Sequence, residues 1–182
     1  DRARRWLDLA IVELENGPPH LLARALQHAG VLTVDVGPRR LKLERALAAA
    51  RASGDTLAVA RVETDLGEAV RRSGDFAGAI RMLKPAAEHL AAAGEWVDSA
   101  RAYAMLGRAY GLHGHFAQAR AAYDRAREYC RKAGDRVAEV FVMAEYAILL
   151  VRHEQPRAAV ALFDQVRAYL AGERVPAGVR LR

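Results

Sequence analysis

A chain of 182 residues, 52% apolar and 7% aromatic, is long enough for one compact domain or a short solenoid and too apolar for disorder. Basic residues outnumber acidic ones by 28 to 22, a formal charge of +6 that fits an acidic partner or the arginine-rich coding of a GC-rich genome and decides neither. The single cysteine, Cys130, excludes an internal disulfide and fits a reducing, cytoplasmic setting; no apolar run approaches the roughly 20 residues of a membrane span.

In chain order, residues 3–15 form an amphipathic helix with Trp6, Leu7, Ala10, Ile11 and Leu14 on one side. Gly17-Pro18-Pro19 stops it and opens the next. Residues 20–35 and 38–52 read as a divergent helix pair. From there a repeat is plain. Gly54, Gly94 and Gly134, each followed by Asp or Glu, are 40 residues apart, and Gly74 and Gly114 form a second set in the same register, with Glu154 in the third place. The column of Leu66-Gly67, Leu106-Gly107 and Tyr146-Ala147 repeats at that spacing, as do Leu83, Tyr123 and Phe163, and Ala79, Ala119 and Ala159.

Apolar residues recur three and four apart between the glycines, so each copy is two antiparallel helices of about 17 residues. Small residues at positions 67, 107 and 147 let paired helices approach closely. Pro85 falls inside the helix spanning about 76–92 and predicts a kink. The expected fold is an all-α solenoid of about nine helices: a lead helix (1–17), the divergent pair (18–54), three repeat pairs (55–94, 95–134, 135–172) and a tail (173–182). The opening Asp1-Arg2 and the unpaired first helix read as a segment of a longer protein.

The columns Tyr103, Leu106, Gly107, Tyr110, Ala119, Tyr123 and Ala126 resemble the tetratricopeptide (TPR) signature in order and spacing. The usual repeat is about 34 residues; at 40 residues, the present one is similar to the long form found in sensor regions of bacterial maltose-activator-like and antibiotic-regulatory-protein-like regulators, and in adaptors such as kinesin light chains. The resemblance implies a right-handed superhelix whose first helix of each pair lines a concave face. The inward positions it implies are Arg61, Thr64, Glu68, Arg71 and Arg72, then Arg101, Ala104, Arg108, Gly111 and Leu112, then Phe141, Ala144, Ile148, Val151 and Arg152.

Such a groove is basic over 61–108 and apolar over 141–151. It suits an acidic, partly apolar protein or peptide, with direct binding of nucleic acid or a phosphate ligand by the basic face, or a stand-alone adaptor role, as alternatives. Lysine and asparagine of a chaperone-tail clamp are missing at Thr64, Glu68, Ala104 and Arg108. A homodimer is left open. His113, His115 and His153 lack the ligand pattern of a zinc site, no phosphate loop is present, and no catalytic constellation appears. The expectation is a binding scaffold without cofactor, metal or enzymatic chemistry.

Overall fold

The computed structural model describes residues 2–172. The tail expected at 173–182 lies outside them. Among the described residues there are nine α-helices and no strand: α1 (Arg2–Leu14), α2 (Pro19–Val31), α3 (Val36–Ser53), α4 (Thr56–Arg72), α5 (Phe76–Ala92), α6 (Trp96–Leu112), α7 (Phe116–Lys132), α8 (Arg136–Arg152) and α9 (Pro156–Gly172). From α4 onward every helix has 17 residues.

The turns explain that regularity. Gly94 is left-handed at φ +78, Gly94 N–H donates to Ala91 O, and Glu95 N–H reaches back to Leu90 O. These are the paired bonds of a Schellman cap, which ends the helix and satisfies its last carbonyls. The same pair recurs around Gly114 and Gly134. Restarts are capped in turn: the side chains of Asp55, Asp75 and Asp135 accept from the backbone N–H of Ala58, Gly78 and Ala138.

Consecutive helices pack antiparallel, and α2, α4, α6 and α8 also touch one another in sequence, whereas α3, α5, α7 and α9 do not. The even-numbered helices are therefore the inner, more tightly curved layer. One continuous apolar cluster runs from Ile11 to Val166 and is built mostly of alanine and leucine. A Cβ placed on Gly67 falls 2.7 Å from Leu83 Cγ, and one on Gly107 falls 3.0 Å from Tyr123 Cδ2, so these glycines let α4 close on α5 and α6 on α7.

One boundary differs from the sequence reading. The helix expected over 20–35 ends at Val31, because Arg39 donates to Val31 O (3.0 Å) and Thr33 O (2.8 Å) and caps the carbonyls there. Helix α5 has the span expected for it, with Pro85 inside it on its exposed side.

Candidate functional site

The inner layer presents three neighbouring clefts. The first, about 320 Å³, lies between α6 and α8. Its walls are mainly small and apolar: Ala104, Met105, Ala138, Phe141 and Val142, with Cys130 behind them. Arg101, Arg108 and Glu145 stand at its edge. Burial pushes the Cys130 thiol up to about 11, so the wall it forms carries no charge at neutral pH.

The second cleft, about 260 Å³, adjoins it through Arg108 and Glu145 and continues to Ile148 and Arg152. The third, about 620 Å³, opens over α2, α4 and α6 and is more polar than the first, with Arg24, Gln27, Arg61, Asp65, Asp98 and Arg101 along it. The inner surface thus passes from polar at the α2 end to apolar at the α8 end.

Arginines expected to make this face basic are engaged with carboxylates. Arg61 binds Glu95 (2.7 Å) and Asp98 (2.6 Å), tying α4 to the start of α6. Asp65, buried, accepts from Arg101 (2.5 Å) and from Gln27 (2.6 Å), so one carboxylate joins α2, α4 and α6. Arg71 makes two bonds of 2.7 Å to Glu68. Arg108 bridges Glu68 (3.5 Å) on α4 and Glu145 on α8. Four arginines meet five carboxylates, and the ladder is close to neutral where a basic groove is expected.

The side-chain bond to Asp98 raises Arg61 above its ordinary value, and that to Glu68 does the same for Arg71. Glu145 is also raised, which for a carboxyl favours the neutral form: its burial outweighs the pull of Arg108.

Other positions separate. Arg72 and Arg152 are exposed, and among the described residues neither has an ion-pair partner. Phe141, Ile148, Val151 and Leu112 are exposed, while Ala104 and Ala144 are half-buried. Thr64 is a correction. It is fully buried, its hydroxyl donates to Ala60 O, and it packs inside the helix layer, leaving Asp65 next to it as the residue facing Arg101. Gly111 is likewise buried, under Leu149.

The residues that sequence reading missed are Asp65, Asp98, Met105 and Glu145. Three of them carry a common signal. Arg61–Asp98, Asp65–Arg101 and Arg108–Glu145 are separated by 37, 36 and 37 positions, about one helical turn short of the repeat.

His113 lies beside His115, and His153 lies on Phe116, so the histidine column does not assemble. Among the described residues no three His, Cys, Asp or Glu side chains are placed to hold a metal ion, and no helix is long and apolar enough to cross a membrane.

Residues 59–132, from α4 through α7, match the tetratricopeptide repeat family model. No curated protein matches the chain. Among solved structures, BtubC (BKLC) from P. vanneervenii is similar over 99% of this chain and 78% of its own, at 19% identity and a TM-score of 0.74. The nearly identical TPR-like repeats of a candidate kinesin light chain from Podosopora anserina are similar over 94% of this chain and 88% of theirs, at 20% identity and a TM-score of 0.67. A singly substituted form of those repeats gives 20% identity and a TM-score of 0.69, covering 93% of this chain and 85% of that one. Repeats of this kind bind proteins or peptides and generally supply no catalysis of their own. The described residues have the fold of a TPR-like α-solenoid, and residues 59–132 within it are similar to the tetratricopeptide repeat family.

Proposed function

We propose that this solenoid is a protein- or peptide-recognition module that anchors an apolar side chain of its partner in the cleft between α6 and α8. The observation that carries the reading is the cleft itself. At the preceding step of the stack, Arg61 spans from α4 to Asp98 of α6, and the cleft there is lined by charged and polar side chains. One repeat later Asp98 is replaced by Ala138 and Arg101 turns back to Asp65, leaving an apolar opening of about 320 Å³. A phenyl or branched aliphatic group fits there, and burying one contributes about 1.5–3 kcal/mol.

The partner suited to these surroundings is acidic as well as partly apolar, since the inner-face residues Arg24, Arg72 and Arg152 have no carboxylate partner among the described residues. In this reading the module is the sensor or interaction arm of a bacterial transcription regulator, in keeping with the 40-residue repeat and arginine-rich composition. Sequencing the intact parent polypeptide checks that assignment: a helix-turn-helix or nucleotide-switch domain is expected, and a parent of repeats alone makes it an adaptor. Nucleic acid is the weaker reading, because arginines already neutralised within the ladder release few counterions from phosphates.

The groove is tested by selecting phage-displayed random peptides on the chain and measuring the winners against Ala104→Phe, which fills the cleft. Selected peptides should share a bulky apolar residue, and their affinity should fall about tenfold or more in the variant, as for loss of one hot-spot contact. Equal affinity for a variant with unchanged helix content and melting temperature removes the cleft from the function.

A further inference from the structure

The side of α4 turned away from the inner layer forms another cleft, of about 290 Å³. Val59, Ala60 and Glu63 of α4 line it together with Pro85 and His89 of α5. At 3.6 residues per turn, these α4 positions point away from Arg61, Asp65 and Glu68 of the charge ladder. The cleft is therefore separate from the inner groove.

The 40-residue repeat shows what the fold places at the same point one step on. Glu63, Pro85 and His89 correspond to Tyr103, Arg125 and Tyr129. There the Tyr103 ring stacks on Tyr129 at 5.5 Å, and Arg125 lies over it at 5.6 Å while donating to its hydroxyl. Tyr103 and Tyr129 are 5% and 8% exposed, and Ser99 on the same face of α6 is 0% exposed. Val59, in the column of Ser99, is only half-buried, and His89, in that of Tyr129, is exposed. The Tyr103 ring has no counterpart between α4 and α5.

Glu63 does not fill the place itself. Its carboxylate turns to Arg51 of α3, which donates to Oε1 at 3.1 Å, and Oε2 has no bond among the described residues. The opening is thus bounded by a flat imidazole, a flat pyrrolidine and an anionic acceptor. Such walls suit an aromatic ring with a donor at its tip, since ring faces stack and a hydroxyl bonds strongly to a carboxylate.

We propose that this cleft receives a tyrosine of a partner polypeptide, its ring replacing the missing one against His89 and Pro85 and its hydroxyl donating to Glu63. A phenyl ring lacks the donor, and an aliphatic side chain lacks the flat face. The ring that closes the next groove is itself carried on a polypeptide, and the exposed His89 and Pro85 leave room for the backbone that brings another. A place for one side chain gives an isolated phenol a Kd on the order of 1 mM. The contact is a second anchor on the outer side of the solenoid and does not depend on the inner cleft.

Titrating the isotope-labelled chain with N-acetyltyrosinamide, and following backbone amide chemical shifts, tests the proposal. The largest shifts should fall at Val59, Ala60 and His89. Glu63→Tyr installs the ring of the next repeat and should keep the wild-type circular dichroism while losing these shifts. His89→Ala, at an exposed site, should weaken binding about 2- to 10-fold, as for loss of one aromatic pair. N-acetylphenylalaninamide should bind about tenfold more weakly, as for one hydrogen bond to a charged group. Shifts centred elsewhere overturn the proposal, as does an unchanged titration in folded Glu63→Tyr or equal affinity for the phenyl compound. The pentapeptide acetyl-Gly-Gly-Tyr-Gly-Gly-amide should bind at least as tightly as N-acetyltyrosinamide; its exclusion overturns the proposal in favour of a free phenolic ligand. Ala104→Phe should give the same shifts as wild type at Val59, Ala60 and His89, which keeps this result separate from that of the inner cleft.

Discussion

Glu154 adopts φ +56 at the place where Gly114 adopts φ +85 one repeat earlier. Its N–H donates to Val151 O and Gln155 N–H to Leu150 O, so the Schellman cap forms although the side chain is unsuited to it. The left-handed conformation costs an L-residue with a Cβ about 1–2 kcal/mol. Glu154→Gly should therefore stabilise the fold by about 1 kcal/mol, raising the melting temperature by about 2–4 °C for a chain of this size. Calorimetry decides it; an unchanged or lower transition would mean that the lost carboxylate or added chain entropy outweighs the strain. This position was readable from the glycine register alone, because backbone handedness is a local demand. Asp65 was not readable in the same way. Its neighbour Thr64 fits the inward column equally well, and only the crossing of α4 over α6 decides which one meets Arg101.

Helix lengths and turns from α4 onward follow from apolar spacing bounded by glycine, and each of those helices has the 17 residues that the spacing implies. The earlier pair was harder to delimit, since the end of α2 depends on Arg39, a side chain that reaches its carbonyls from α3. Pro85 is the exception within α5. It has no N–H to give to the carbonyl one turn back, yet the helix runs on from Phe76 to Ala92. A proline inside a helix costs about 3 kcal/mol relative to alanine, part of which is recovered by local adjustment. Pro85→Ala should stabilise the protein by about 1–3 kcal/mol in urea unfolding. A loss of stability instead would show that the ring's packing beside Thr56, Val59 and His89 matters more than the missing bond.

At the scale of the whole molecule, the charges on the inner layer act mainly as struts between helices. The pairs Arg61–Asp98, Asp65–Arg101 and Arg108–Glu145 each join successive inner helices, and with Gln27–Asp65 they form a line from α2 to α8. The arginines could be placed on this face from sequence, but their partners required the stagger of neighbouring helices, which sets contacts near 37 residues while the repeat is 40. The last strut has a distinct pH signature. Burial raises Glu145 above the ordinary glutamate range despite Arg108. A carboxyl raised on folding binds its proton more tightly in the native state, so between its unfolded and folded values stability falls as pH rises. Below both values this penalty is absent; above both it is fully present. Glu145→Gln keeps the shape and removes the titration. Wild type and variant should therefore differ least in melting temperature near pH 4, and the difference should move in favour of the variant as pH rises toward neutrality. A difference that moves the other way would mean that the charged pair with Arg108 is favoured on folding, and that the ladder gains stability from its ionised form at the α8 end as well.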